Sequence, residues 1–127
     1  MAGKAGALMW DTALRVVKAG RVPDPYNPAR GVLTLDPDKG ATVLDTVHLV
    51  ECQPVSLVED DAGGTRVHVQ SSWRIITRPG EFISDLRAVD GVLVDGIDGV
   101  LEVVGEVGQW AHRTHGHSEF TVRRWAG

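Results

Sequence analysis

The chain has 127 residues, a formal net charge of −4 and a hydrophobic content of 43%. This length and composition predict one domain, residues 1–127, that buries a continuous core without disulfides or metal ions. The acidic balance excludes attraction to nucleic acid through a broadly basic face. The single cysteine, Cys52, excludes an internal disulfide and is expected to be a small buried side chain in a reducing compartment.

The sequence and its composition also predict whether the chain enters a membrane and which fold class it adopts. No apolar run approaches the roughly 20 residues that a transmembrane helix needs, and the apolar run near the start is too short for a signal peptide. We therefore expect a soluble protein, made in the cytoplasm, with no membrane partner. The 15 glycines and the many valines favour strands and turns over helices.

The N-terminal third holds one ambiguous segment and one proline-rich segment. Residues 12–18 fit a strand, which we favour, because they include the β-prone sequence LRVV. A helical stripe also fits this region, through Ala5, Leu8, Met9, Thr12, Ala13, Val16 and Val17. Four prolines then predict that residues 21–45 lack regular structure. We interpret residues 21–46 as an extended arm that a neighbouring subunit orders.

The centre of the chain carries the strongest periodic signal. Residues 47–54 are typical of a strand that ends at Pro54, because proline cannot donate to a ladder. Residues 55–65 predict a mobile acidic loop, and alternation over residues 66–78 predicts a long half-buried strand that stops at a Pro-Gly turn. The predicted inward residues of this strand include Val67, Val69, Trp73 and Ile75.

The last third predicts a loop, a hairpin and a final strand. Residues 81–89 indicate a loop that covers one end of a barrel, and residues 92–95 and 100–104 flank a glycine-bounded reversal. Residues 119–125 alternate as the last strand. The core positions predicted here are Leu101, Val103, Phe120 and Val122. About six strands at hairpin spacing make the chain mainly β, an antiparallel barrel or sandwich with long loops, and we favour a small β-barrel.

The residues that could carry chemistry have simpler explanations. His112, His115 and His117 lie close together, but no carboxylate at a recognised ligand spacing accompanies them, which favours a solvated loop. Paired carboxylates fall in predicted turns, and no nucleophile motif or phosphate-binding loop occurs. The basic, aromatic sequence RRW at residues 123–125 is weak evidence for nucleic-acid binding. We predict no catalytic residue, no metal site and no cofactor, and hence no enzyme.

An ordered set of short motifs spans nearly the whole chain. They are MWDT at 9–12, LRVV at 14–17, DPYNP at 24–28, ECQPVS at 51–56, SWRIITRPG at 72–80, VDGV at 89–92, LEVVGEVGQW at 101–110 and HSEFTVRRWAG at 117–127. The set resembles the head-to-tail stopper, or head closure, proteins of siphophages that infect actinobacteria. The stretch GEVGQW before a final strand is the most specific of these motifs.

The resemblance implies a β-barrel subunit of a cyclic ring, of six or twelve copies, in the virion neck at the head-tail interface. The implied partners are the adaptor or portal-side ring, the tail terminator or tail tube proteins, and packaged double-stranded DNA in the lumen. The implied role is to connect head and tail and to help retain the DNA, without catalysis.

Two groups of residues receive hypothetical roles in such a ring. The arm residues Asp24, Tyr26, Asn27 and Arg30 would contact a neighbouring subunit. The acids Glu59, Asp60 and Asp61 would face the lumen and repel phosphate, although an ordinary solvated loop fits them equally well. Two other classes of function stay open: a small barrel that binds a peptide or an oligonucleotide, and a metal-dependent enzyme that uses the three histidines.

Overall fold

A computed structural model describes residues 9–60, 67–110 and 116–126, and these residues are mainly β. Nine strands follow in chain order: β1 (Thr12–Lys18), β2 (Gly20–Pro23), β3 (Gly31–Thr34), β4 (Thr42–Val43), β5 (His48–Asp60), β6 (Val67–Thr77), β7 (Gly91–Val94), β8 (Leu101–Trp110) and β9 (His117–Arg124). A single 3-10 turn at Pro37–Lys39 lies between β3 and β4. None of the helical structure described here is long and apolar enough to cross a membrane.

Six of the strands close into a barrel. Their order around it is β1-β5-β6-β9-β8-β7, every neighbouring pair is antiparallel, and β1 pairs with β7 to complete the circle. Strand β4 adds to the sheet at the edge of β1. The structure therefore confirms the predicted small antiparallel β-barrel of about six strands.

Mainly apolar side chains fill the barrel interior. The predicted core residues Ile75, Leu101, Val103, Phe120 and Val122 are all buried there. Trp73 is partly buried and packs against the same cluster, while the side chains of Val67 and Val69 lie outside the described part of the structure. Because side chains fill a barrel of this size, nothing passes through it, and any channel would have to lie between copies.

The connection between β6 and β7 closes one end of the barrel, as predicted from the sequence. Ile83 and Leu86 in this connection are buried in the barrel core. The Oγ atom of Ser118 accepts a hydrogen bond of 2.9 Å from the backbone N–H of Ile83, and the Gln109 side chain donates to the Ile83 carbonyl at 3.2 Å. We call residues 78–90 the plug.

The predicted acidic loop at residues 55–65 is wrong for its first part. Strand β5 continues through Pro54 to Asp60. It pairs with the whole of β6, from Val50↔Thr77 to Asp60↔Val67. Strand β1 reaches β5 only as far as Val50. The far edge of β5 therefore has no partner strand in the described residues beyond that point. A proline whose missing N–H faces such an edge removes no ladder bond.

The prediction that prolines keep residues 21–45 irregular is also wrong. Strands β2 and β3 form a hairpin in register from Gly20↔Thr34 to Pro23↔Gly31. The prolines occupy permitted places: one ends β2, two lie in the turn between the strands, and one starts the 3-10 turn. Past the hairpin, Leu35 and Ala41 are buried against Val17 on the outside of the barrel. The part of the predicted arm that includes Leu35, Ala41 and Val43 thus packs against its own barrel.

Candidate functional site

The antiparallel pairing gives the barrel two unlike ends. One end holds the C-terminal end of β1, the start of β5 and the end of β6, so the β2–β3 hairpin and the plug both leave from it. We call this the arm end. The opposite end carries the last described residue pairs of β5 and β6 and the turn between β7 and β8. We call this the ribbon end.

A two-stranded ribbon projects from the ribbon end. Strand β6 pairs with β9 only from Ser72 to Ile76, whereas β5 and β6 stay paired from Ser56↔Ser71 to Asp60↔Val67. These five further residue pairs extend the ribbon by roughly 17 Å at about 3.4 Å per residue. A two-stranded ribbon is marginally stable by itself in water. A partner that packs on it would stabilise it.

Two of the predicted channel acids lie on this ribbon. Glu59 is opposite His68, and Asp60 is opposite Val67, in the last described residue pairs of β5 and β6. Asp61 lies outside the described residues. The register therefore places the first two acids at the described end of the ribbon, away from the arm end.

The tip of the β2–β3 hairpin is an ordered turn. The backbone N–H of Asp24 donates to the Arg30 carbonyl at 3.0 Å, and the Asn27 N–H donates to the Asp24 carbonyl at 3.2 Å. The Asp24 carboxylate accepts a 2.9 Å bond from the Tyr26 N–H. The Tyr26 side chain is 97% exposed. All four predicted arm residues thus lie in one turn that holds an aromatic ring out into solvent.

A hollow of about 390 Å³ lies at the arm end beside β5 and β6. It is lined by Val47, His48, Leu49, Arg78, Glu81 and Phe82. The three apolar side chains of the lining are exposed to solvent, with relative exposures of 55% for Val47, 44% for Leu49 and 42% for Phe82. Exposed apolar groups gathered around a concavity mark a binding surface more often than scattered ones do. Reasoning from the sequence missed this site, although Phe82 next to a Pro-Gly turn was a signal.

The buried carboxylate of Asp90 ties the plug to the barrel. It accepts hydrogen bonds from Lys18 Nζ at 2.5 Å, from the Ala19 N–H at 2.9 Å and from the Arg87 N–H at 2.9 Å. Burial by itself would raise the pKa of Asp90, but the bonds from Lys18, Ala19 and Arg87 outweigh it and hold the pKa below its ordinary value. Lys18 also donates to the Asp85 carbonyl. These bonds hold the plug against the end of β1, a contact that the sequence did not reveal.

The basic C-terminal residues are engaged within the chain. Arg123 Nε lies 2.6 Å from Glu102 Oε1, and the Arg124 guanidinium stacks over the ring of Trp73 with its carbon 5.5 Å from the centroid. Trp125 is partly buried against the Val17 cluster. A neighbouring ion pair joins Arg74 to Glu119 at 3.0 Å. Arg74 and Arg123 are thus paired with carboxylates, and Arg124 is engaged with an aromatic ring.

The histidines do not form a described cluster. His117 lies in β9, where its Nε2 atom is 3.9 Å from Glu119 Oε2, and His112 and His115 lie outside the described residues. No group of three potential metal ligands is arranged to hold an ion within residues 9–60, 67–110 and 116–126. Cys52 is partly buried and packs against the barrel core.

Comparison with known proteins gives no family for the chain: no protein-family model matches it, and no curated protein matches it significantly.

Proposed function

We propose that this chain is a structural subunit of the neck of a tailed bacteriophage, where copies of it form a ring between the portal-side adaptor and the tail. The observation that carries the proposal is the architecture of the barrel, which has an aromatic-tipped hairpin at one end and an acid-bearing ribbon at the other. The ordered motifs from MWDT at 9–12 to the end of the chain support the same family. The role is structural, without catalysis.

The unlike ends suit a subunit whose ends meet different surroundings in a ring. One end faces the lumen, and the other contacts adjacent protein. The ribbon end carries acidic residues suited to the lumen, and the arm end offers exposed apolar groups suited to protein contacts. Each contact must offset an association cost of about 4–15 kcal/mol, which exposed aromatic and aliphatic side chains are suited to do.

The acidic ribbon supplies a physical mechanism for contact with DNA. If the ribbons of all copies point into the lumen, the carboxylates of Glu59, Asp60 and Asp61 form a negative collar. Such a collar repels phosphate, so that DNA is confined without adhering and slides when the tail opens the path. The overall charge of −4 agrees with a surface that does not bind DNA tightly.

The experiment that tests the proposal uses tailless, DNA-filled heads of the phage that encodes the chain. Purified chain is added, and the DNA that becomes sensitive to nuclease is measured over time. The proposal predicts that the chain binds the heads and slows DNA release. Heads that bind no chain, together with a melting temperature that rises with an oligonucleotide or a peptide, would support the binding-module alternative.

A charge-neutralised variant separates the collar from the ring. The triple variant Glu59→Gln, Asp60→Asn and Asp61→Asn should still join the heads, because Glu59 and Asp60 lie at the ribbon end, away from the apolar groups of the arm end. DNA should then leave more slowly on triggered ejection, and the slowing should diminish at high salt. Unchanged retention and ejection in assembled particles would refute the collar while leaving the ring in place.

A further inference from the structure

We infer that the Tyr26 turn of one copy docks into the Phe82 hollow of the next copy, so that the chain binds itself head to tail. This inference rests on the proposed function and deepens it, because it names both halves of the contact between subunits. The Tyr26 turn comprises residues 24–30, and the Phe82 hollow is the concavity beside β5 and β6 described above.

The hollow and the segment that anchors the Tyr26 turn lie beside different strands of the same barrel. The segment that supports the Tyr26 turn packs over β7 and β8, because Leu35 is buried with Leu93, Val100 and Trp125. The Phe82 hollow lies beside β5 and β6. In the closed order β1-β5-β6-β9-β8-β7, the pairs β5–β6 and β8–β7 are separated by β1 on one side and by β9 on the other. A contact between such opposed surfaces is heterologous, and it propagates from copy to copy until the rotation closes a ring.

An exposed aromatic ring and an open apolar concavity are available on the same chain. The Tyr26 side chain is 97% exposed, so it does not fold back on its own barrel, and backbone hydrogen bonds hold the turn that carries it. The hollow has a volume of about 390 Å³ and an apolar lining from Val47, Leu49 and Phe82. Tyrosine is among the residues that most often anchor protein interfaces, because its large ring is buried at a small entropic cost.

The charges at the two surfaces are complementary as well. The Tyr26 turn carries one carboxylate, Asp24, and one guanidinium, Arg30. The rim of the hollow also carries one of each, Arg78 and Glu81, whose charged groups are 3.9 Å apart and both about half exposed. Two opposite-charge pairs across the contact would set its orientation and its register. A second copy of this chain therefore offers the hollow both an aromatic side chain and charges of the required signs.

The direct test places a photoreactive benzophenone amino acid at position 26. Isotope-labelled and unlabelled copies are mixed, irradiated both as the purified chain and on tailless heads, and digested for mass spectrometry. We expect cross-links from position 26 to residues 47–49 or 78–82, in peptide pairs that combine labelled and unlabelled copies. Cross-links within one copy, or to any other segment, would overturn the inference, as would a chain that forms no cross-link between copies under either condition.

Alanine variants test the energetics of the contact. Tyr26→Ala and Phe82→Ala should each weaken self-association by about 30-fold or more, as the loss of a central aromatic anchor does. The double variant should lose little beyond either single variant, because both changes remove one contact. Trp110→Ala is the matched control, since Trp110 is 59% exposed and lies outside both surfaces. An equal loss in all three variants would contradict the assignment.

The outcomes separate this inference from the neck proposal. Cross-links between position 26 and the hollow in a chain that does not bind phage heads would uphold the contact and refute the neck function. A ring on the heads with position 26 cross-linked elsewhere would uphold the neck function and refute the contact.

Discussion

Replacing Asp90 with alanine should destabilise the barrel by about 3 kcal/mol. The Asp90 side chain is fully buried and accepts bonds from three residues on two segments, at the end of β1 and in the plug. Its removal leaves the backbone N–H groups of Ala19 and Arg87 without this acceptor, at about 1–3 kcal/mol each. The loss of about 3–5 kcal/mol in the free energy of unfolding that follows when a partner charge stays buried without compensation does not apply here. The side chains of Lys18 and Arg87 are 27% and 63% exposed and can return to water.

Urea unfolding of the wild type and of Asp90→Ala measures this loss directly. For a chain of this length the same loss corresponds to a melting temperature lower by about 10 °C. Asp85→Ala is the matched control, because Asp85 is an exposed acid in the same plug and contributes its backbone carbonyl to Lys18. It should change the free energy of unfolding by less than about 0.5 kcal/mol. An Asp90→Ala variant whose free energy of unfolding lies within that same margin of the wild-type value would refute the conclusion that Asp90 holds the plug to the barrel.

Three further predictions concern pH, the plug and one glycine. The pKa of Asp90 is lowered on folding, so its contribution to the free energy of unfolding is complete above the ordinary value of 3.8 and is lost as the pH falls through the folded-state pKa. In urea titrations, the difference in free energy of unfolding between wild type and Asp90→Ala should therefore narrow below pH 3.8 and stay constant at pH 5 and above. A difference that widens in acid would contradict the direction of the pKa change. Ser118→Ala removes the acceptor of the buried Ile83 N–H and should cost about 1–3 kcal/mol in the same assay, and no loss would show that the plug is held otherwise. Gly91→Ala would put a Cβ atom 2.5 Å from the Leu101 carbonyl oxygen and should cost about 1–3 kcal/mol, so an unaffected melting temperature would count against the described β7–β8 pairing.

Local patterns in the sequence were enough to predict most of the barrel. Strand β6 agrees with the predicted segment within one residue at its C-terminal end, because its apolar and polar residues alternate where one face is buried. Gly96 and Gly99 adopt positive φ angles of 85° and 81°, which is the freedom that the predicted reversal between β7 and β8 required. The sequence also predicts the plug as a covering loop, because residues 81–89 show no clear pattern and lie between two clear strands.

The errors arose where pairing or distant contacts decide the structure. The local sequence predicts a strand end at Pro54, but a proline is acceptable within a strand when no strand pairs on its other side, which the local sequence does not reveal. The β2–β3 hairpin has too few residues to show a clear alternation. Asp90 is 72 positions from Lys18 in the chain, so only the folded barrel brings them together. The Phe82 hollow likewise joins two segments that are about 30 residues apart.

The most direct test of the account is an image of the neck. Tailless, DNA-filled heads with and without added chain would be compared by single-particle electron microscopy, with reconstruction of the portal vertex. The account predicts an added ring of identical six-stranded barrels, with the Tyr26 turn of each barrel against its neighbour and the β5–β6 ribbons directed into the lumen. Heads whose vertex is unchanged by saturating chain, or chain bound away from the portal axis, would contradict it.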